Sequence, residues 1–516
     1  MSANSEEVIL MPGAPLQSAD DAHTNENNRR WLALAVVLCA PFLSVLDFFI
    51  VNIAVPVMRE NLNASFGAVQ LVIAGYGLSY AVFLVTGGRL GDIYGRRRVF
   101  LFGISGFTVA SALCGLSPTV TMLIVARVFQ GLFGAMMVPQ ALAVIQTNFI
   151  GSERGKALGI FGATIGFAGI CGQLLGGILV GSNLFGLGWR TIFLVNVPIG
   201  IVAFLAANKL IHESLEKQAQ KLDLIGVFIL SLALLLLVGS IVERNASVDF
   251  GWIAAAVATS IVLLAVFAVY ERYKQKLDNS PLVNLRLFSD RAFVIGLLIS
   301  LVFFGGLAAF FLTLTIFLQT GLHFTPLAAS LVFAPFAIGF LTSSLLSSKL
   351  VPILKRRVLQ TGAALMILGL FSLEWLLAAN GAAVNNWHFA PILLIYGSGQ
   401  GLVVAPLLNI VLSGVRRADA GAAAGVLSTM QQIAASLGVG LVGGVFFAHL
   451  NQQSLSAAES VALSADYVSA FSQTLYYNIG LLTTTILLVF LLPEHCSGAA
   501  GADDNEANFH AANVHI

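Results

Sequence analysis

Charge is scarce in this sequence. Only 10% of its 516 residues are Asp, Glu, Lys or Arg, against 58% that are hydrophobic, whereas a soluble globular chain carries about 25% charge. Soluble domains of this total length would need far more polar surface than these residues supply. That excludes a water-soluble enzyme or binding module and implies a polytopic membrane protein, wetted over most of its exterior by lipid. Cysteine is nearly absent as well. Cys39, Cys114 and Cys171 fall in apolar runs and Cys496 in the C-terminal tail. No spacing among them suggests a metal site or a disulfide framework, so they read as packing residues. A net charge of +1 gives no indication of nucleic acid as a partner.

Catalytic motifs are also missing. The chain has no H-E-x-x-H, no Ser/His/Asp arrangement at a loop, no paired carboxylates and no Gly-Lys-Ser/Thr phosphate loop. It therefore reads as neither a membrane-embedded enzyme nor an ATP-driven pump, and no cofactor is expected. The three histidines of the tail HCSGAAGADDNEANFHAANVHI are too scattered for a metal. The loops are too short for the large soluble appendage of a sensor or scaffold.

Long apolar runs are what the sequence does have. A bilayer core takes about 20 apolar residues per helix, and fourteen such runs can be traced, the first at 31–58 and the last at 468–492. The fourth, 119–146, is kept as a span although Arg127 interrupts it, because unpaired backbone is not tolerated in lipid. An even count puts both termini on one side. Of 26 Lys and Arg, only Arg59, Arg190 and Arg244 then fall on the opposite side and Arg127 lies within a span, leaving 22 with the termini. Cytoplasmic loops carry the Lys/Arg excess, so both ends are expected inside the cell. Residues 1–28 hold Glu6, Glu7, Asp20, Asp21 and Glu26 with no short apolar region, which fits a disordered cytoplasmic tail rather than a signal peptide.

An internal repeat organises these spans. GRLGDIYGRRRVF (88–100) follows the second run and SKLVPILKRRVL (348–359) follows the tenth. Setting Gly88 against Ser348 puts Arg89 on Lys349, Leu90 on Leu350 and Arg96–Arg97 on Arg356–Arg357. Spans 1–6 and 9–14 then form parallel repeats with spans 7 and 8 inserted between them, an architecture in which substrate binds between the halves near mid-membrane. The expected division is a tail at 1–29, a six-helix bundle at 30–215, an inserted pair at 216–280, a second six-helix bundle at 281–493 and a tail at 494–516. In the first loop Gly88, Gly91 and Gly95 permit a tight turn, and Asp92 can pair with a basic side chain or a helix N-terminus. Together with Arg89, Arg96 and Arg97 they read as a cytoplasmic gating loop, or as a topology anchor of positive charge.

That loop resembles the one that marks the major facilitator superfamily. LDFFIVNIAVP (46–56) is similar to the first-span motif of its fourteen-span drug:proton antiporter branch, the EmrB/QacA-like transporters. ARVFQGLFGAMMVP (126–139), GICGQLLGG (169–177), WRTIFLVNVPIG (189–200), LDLIGV (222–227), PLVNLRLF (281–288) and AGAAAGVLSTMQQIAASLG (420–438) extend the resemblance in order. It implies an all-α major facilitator fold of two six-helix bundles plus two inserted helices. It also implies a proton-coupled exporter of lipophilic or amphiphilic small molecules at a bacterial inner membrane, driven by the proton gradient. A dedicated exporter of one metabolite or antibiotic is the alternative, and a periplasmic adaptor stays open as a partner beside substrate, protons and lipid. Two departures stand out. The span 5 motif has Gly172-Gln173, followed by Gly176 and Gly177, where the family has Gly-Pro. Gln431 stands in span 13 where many relatives carry arginine.

Within the spans, Asp47 and Arg127 are the outstanding charges. A charge at the centre of a span costs about 3 kcal/mol on insertion scales, and such residues normally mark ion or substrate paths. Both lie in the outer half of one bundle, so Asp47 is expected to carry the coupled proton with Arg127 as its electrostatic partner. A fixed ion pair pinning spans 1 and 4 is the alternative. Glu374 faces either the substrate cavity or the outer interface beside Trp375. Asn52, Gln130, Gln140, Gln319, Gln400 and Gln431 are candidate cavity residues, although bonds between helices explain such residues equally well.

Overall fold

A computed structural model describes residues 30–149, 151–213, 223–242, 250–277, 282–283, 285–412, 415, 420–453 and 460–492. The two tails, Arg244, Arg416, Arg417 and Cys496 lie outside the described residues. The chain is helical nearly throughout. In order the long helices are α1 (Arg30–Asn61), α2 (Phe66–Tyr94), α3 (Arg96–Gly115), α4 (Val120–Asn148), α5 (Gly151–Ser182), α6 (Gly188–Leu210), α7 (Leu224–Val242), α8 (Phe250–Leu277), α9 (Arg291–Gly321), α10 (Pro326–Leu354), α11 (Arg357–Asn380), α12 (Asn386–Leu412), α13 (Ala420–Gln453) and α14 (Ser460–Phe490). Among the described residues, thirteen are long and apolar enough to cross a membrane. The exception is α7, whose 19 residues span about 28 Å.

Local chemistry sets the helix ends. Ser65, Thr119 and Thr325 each accept a hydrogen bond from a backbone N–H three residues on, opening α2, α4 and α10, as N-capping side chains do. Pro326 stands at the first position of α10, where its missing N–H costs nothing. The break between α2 and α3 is a single residue, Gly95, at φ 102°, a conformation favourable only to glycine, whereas Gly88 and Gly91, expected in the turn, lie within α2 and help no turn. Its counterpart in the second loop is Lys355, which takes φ 52° between α10 and α11. The turn is thus repeated where the sequence no longer supplies the glycine.

Helix packing repeats in the same way. Within the first six helices α4 packs on α2 and α3, α1 on α5, and α3 on α6. Within the last six, α12 packs on α10 and α11, α9 on α13, and α11 on α14. The two sets meet along α2–α13 and α5–α10, and the centre is crossed where α1 touches α9. At the end carrying Arg30 and Leu492, Arg97 Nη2 donates to the Asn208 carbonyl of α6 at 2.7 Å. In the second loop Arg356 Nη1 donates to the carbonyls of Phe490, the last residue of α14, and of Leu492 just beyond it. In each case an arginine opening the third helix of its set satisfies orphan carbonyls at the end of the sixth.

The two junctions differ. Along α2–α13, Gln70 Nε2 donates to Val439 O at 3.2 Å and Thr429 Oγ1 to Ala81 O at 3.3 Å, and α7 packs over both helices. Along α5–α10 the contact gathers at the end opposite the basic loops. There Gly177 lies against Ser330 and the Pro326 carbonyl, and Gly181 against Leu327. Gly166 still meets Phe340, but nothing lies within 4 Å of where a Cβ would stand on Gly162 or Gly159. The seam is closed at one end and parted at the other.

Candidate functional site

Asp47 and Arg127 are brought together at the middle of the first six helices, both 0% exposed. Five helices build the site. Asp47 stands on α1 and its Oδ2 is ion-paired with Arg127 Nη1 from α4. Its Oδ1 accepts from Gln130 Nε2 at 2.7 Å and from Asn196 Nδ2 of α6 at 2.9 Å. Arg127 also donates from Nε to the Val72 carbonyl of α2 at 3.1 Å and from Nη1 to Gln130 Oε1 at 2.7 Å. Its guanidinium carbon lies 4.2 Å from the Tyr76 ring centre and 5.6 Å from that of Phe193, a cation–π setting. From α3, Ser111 Oγ accepts from Gln130 Nε2 at 2.8 Å, and the Cys114 thiol donates to Gln130 Oε1 at 3.6 Å.

Apolar layers seal this cluster on both sides. Val51, Val55, Val69, Leu123 and Ile192 lie toward the far end, and Leu43, Tyr80, Ala135 and Met137 toward the basic end. A buried ion pair repays its desolvation only when further hydrogen bonds satisfy both partners. Here nearly all of them are present, leaving Arg127 Nη2 and Asn196 Oδ1 without partners. A proton added to Asp47 would remove its ion pair with Arg127 and leave the Gln130 amide as its tie to α4. Arg127 would keep Val72 O, Gln130 Oε1 and the Tyr76 face, so the change would fall on α1.

The opposite face of α1 adjoins the other helix set. Phe49, two positions beyond Asp47, meets Phe311 of α9 edge-on at 5.7 Å, and Gly172 and Gly176 of α5 lie against the α1 backbone at Leu46 and Ile50. A residue bearing a side chain at Gly172 would stand 2.8 Å from Leu46 O, so the glycines of the span 5 motif let α1 and α5 approach. Beside them Gln173 is buried with neither amide atom partnered.

The other expected site residues are dispersed. Gln130 belongs to the Asp47 cluster. Asn52 is buried on α1. Gln140 Nε2 donates to Gly87 O at 2.7 Å, tying α4 to α2, and its carboxamide fills the space at Gly91. Gln319 lies in a π-helical turn at the end of α9 and donates to Ile53 O of α1 at 2.7 Å. Gln400 is buried on α12 with Oε1 unpartnered, and Gln431 is half-buried on α13. Glu374 lies between α11 and α14, where it accepts from the Tyr476 hydroxyl at 3.1 Å. In the basic loop Asp92 pairs with Arg96 at 3.3 Å. Arg97 N–H and Arg98 both reach Glu213 after α6, while Arg89 faces Asp92 and Glu271. Gly88 is in ordinary contact with Pro139. Sequence reasoning missed Asn196, Ser111, Tyr76 and Phe193. Only Asn196 carried a signal, as a carboxamide inside the apolar helix α6.

Comparisons with known proteins agree with this architecture. A sequence model of the Major Facilitator Superfamily matches residues 37–439. The chain is 34% identical over 442 residues to a probable actinorhodin transporter of Streptomyces coelicolor, covering 85% of this chain and 76% of that protein. It is 33% identical over 496 residues to the puromycin resistance protein pur8 of Streptomyces alboniger, covering 94% and 95%. It is 31% identical over 428 residues to the multidrug resistance protein Stp of Mycobacterium tuberculosis, covering 82% and 77%. Among solved structures it resembles a bacterial homolog of the human lysosomal transporter Spinster, inward-facing and unoccupied, with a TM-score of 0.63 at 16% identity over 90% of this chain and 97% of that one. The chain belongs to the Major Facilitator Superfamily of membrane transporters.

Proposed function

We propose that this transporter is a proton-driven exporter of antibiotic-like amphiphilic small molecules, of the fourteen-span EmrB/QacA-like branch, with both termini in the cytoplasm of a bacterial cell. The buried Asp47–Arg127–Gln130–Asn196 cluster carries the reading. It is an ionisable group sealed from water on both sides, on the helix that also touches the opposite helix set. Such a carboxylate can exchange its proton only when the helices around it move, which is what coupling requires. The two six-helix sets are the moving bodies, and the seam between α5 and α10, parted at the basic end, supports a cavity open to the cytoplasm and inner leaflet.

The cycle runs as follows. With the cavity open inward, substrate enters and Asp47 releases its proton to the cytoplasm, restoring the ion pair with Arg127 and drawing α1 toward α4. The halves then rock, parting Gly177 from Ser330 and Gly181 from Leu327 at the outer seam. Protonation of Asp47 from outside breaks the ion pair of α1 with α4 while substrate leaves, and the unloaded protein returns. Arg96–Asp92 and Arg97–Glu213 lie within the first set and hold α2, α3 and the end of α6 together while that set moves.

A dedicated exporter of one antibiotic is equally well supported, since the actinorhodin and puromycin proteins are named for single compounds, with the multidrug protein Stp as counterweight. Everted membrane vesicles energised to an acidic interior decide between them. Uptake of ethidium is compared with uptake of a planar aromatic antibiotic and of puromycin. Accumulation of all three, abolished by a protonophore, supports broad export. Accumulation of one alone supports the dedicated exporter. Uptake that survives the protonophore refutes proton drive.

A further inference from the structure

The helix pair α7–α8 carries buried acids that the Asp47 cluster does not use. Asp223 caps α7. Its Oδ1 accepts from the Gly226 N–H at 3.0 Å and the Tyr270 hydroxyl at 2.8 Å, and lies 3.7 Å from Lys274 Nζ. Glu271, near the end of α8, accepts from the Val283 N–H at 3.2 Å through Oε2, fixing the segment that leads to α9. Capping and this loop contact account for one oxygen of each carboxyl. The other two, Asp223 Oδ2 and Glu271 Oε1, are buried and have no hydrogen-bond partner.

Both unpartnered oxygens aim at one spot. A Cβ built on Gly226 would stand 2.6 Å from Asp223 Oδ2 and 2.8 Å from Glu271 Oε1, and the two carboxyls interact directly. Two carboxylates sharing so small a space resist being ionised together. One proton satisfies both atoms, bonded to one oxygen and donated to the other. The charged and titratable groups facing the pair are Tyr270 and Lys274 on α8 and, from α2, Arg89, which itself neighbours Asp92. The apolar wall beside them is Val227, Leu230, Phe267, Leu282 and Val426.

We propose that Asp223 and Glu271 form a proton-binding site on the α7–α8 pair, with a single proton held between Asp223 Oδ2 and Glu271 Oε1. When occupied, the site joins α7 to α8. When it empties, the added negative charge lies between Lys274, 3.7 Å from Asp223 Oδ1, and Arg89 near the end of α2. The protonation state of α7–α8 is thereby communicated to the loop at 88–97. This site is independent of Asp47 and stands whether or not Asp47 carries the transported proton.

Infrared difference spectroscopy of the full-length protein in lipid nanodiscs, titrated across neutral pH in water and heavy water, reads the site directly. The expected result is a protonated-carboxyl stretch that persists in Asp47→Asn and is lost in both Glu271→Gln and Asp223→Asn. It is also lost in Gly226→Ala, whose methyl separates the two oxygens without altering either acid. Persistence of the band in Glu271→Gln or Asp223→Asn overturns the proposal. So does disappearance of the wild-type band on adding sodium or magnesium, which would make the occupant a metal cation.

Discussion

Replacing Asp47 by Asn leaves the Arg127 guanidinium wholly buried and without a counter-charge. It keeps Val72 O, Gln130 Oε1 and the face of Tyr76, but breaking a buried pair by removing one partner costs about 3–5 kcal/mol. Arg127→Gln leaves the opposite problem in milder form, because Gln130 and Asn196 still donate to the carboxylate, and a cost of about 3 kcal/mol follows. In the double variant Asp47→Asn/Arg127→Gln neither charge remains. Its cost falls short of the sum by at least about 2 kcal/mol, within the range of coupling for contacting residues. The assay is reversible unfolding in mixed detergent micelles, followed by reactivity of Cys114 in a background where it is the single cysteine. Its thiol is buried and donates to Gln130 Oε1, so it reports on this cluster. Additivity within about 0.5 kcal/mol would refute an electrostatically coupled site.

Three further outcomes follow from the geometry. Gly177→Val drives a side chain into Ser330 and the Pro326 carbonyl, so export falls at least about tenfold. Thiol labelling of a Leu327→Cys probe rises at the same time, because the seam at that end cannot close against so tight a contact. Glu374→Gln keeps the hydrogen bond to Tyr476 between α11 and α14 and changes the rate of vesicle uptake by less than about fivefold, since exchanging a charged for a neutral hydrogen-bond acceptor there is worth about 1 kcal/mol. Lys355→Gly relieves a non-glycine residue at φ 52°. It raises stability by about 1 kcal/mol, the lower end of the cost of such a conformation, read as a higher melting temperature in detergent.

Some of this was legible in the sequence for physical reasons. Asp47 and Arg127 stood out because charge is expensive inside a span, and the residues they needed had to come from neighbouring helices. Which neighbours could not be read. Ser111 and Asn196 are neutral, and spans that are apolar all round show no face on which to align them. Gln140 and Gln319 were visible as polar residues at depth. Only the fold shows that each is consumed by a backbone carbonyl of an adjacent helix. The repeat was legible through Arg96–Arg97 and Arg356–Arg357, although Lys355 had replaced the turn glycine, because the packing of α10 and α11 on α12 imposes the turn regardless. Asp223 and Glu271 were passed over, as charges near the ends of apolar runs are ordinary. Their convergence at Gly226 arises only when α7 and α8 fold side by side.

The central claim is that Asp47 carries the coupled proton, and purified protein in proteoliposomes tests it most directly. Proton flux and substrate flux are followed together in wild type and Asp47→Asn at equal protein content, with substrate counterflow measured in the absence of a gradient. The account predicts that Asp47→Asn still exchanges substrate for substrate but neither moves protons nor accumulates substrate against its gradient. Proton-driven accumulation retained by Asp47→Asn would contradict it and leave the pair as a structural pin between α1 and α4.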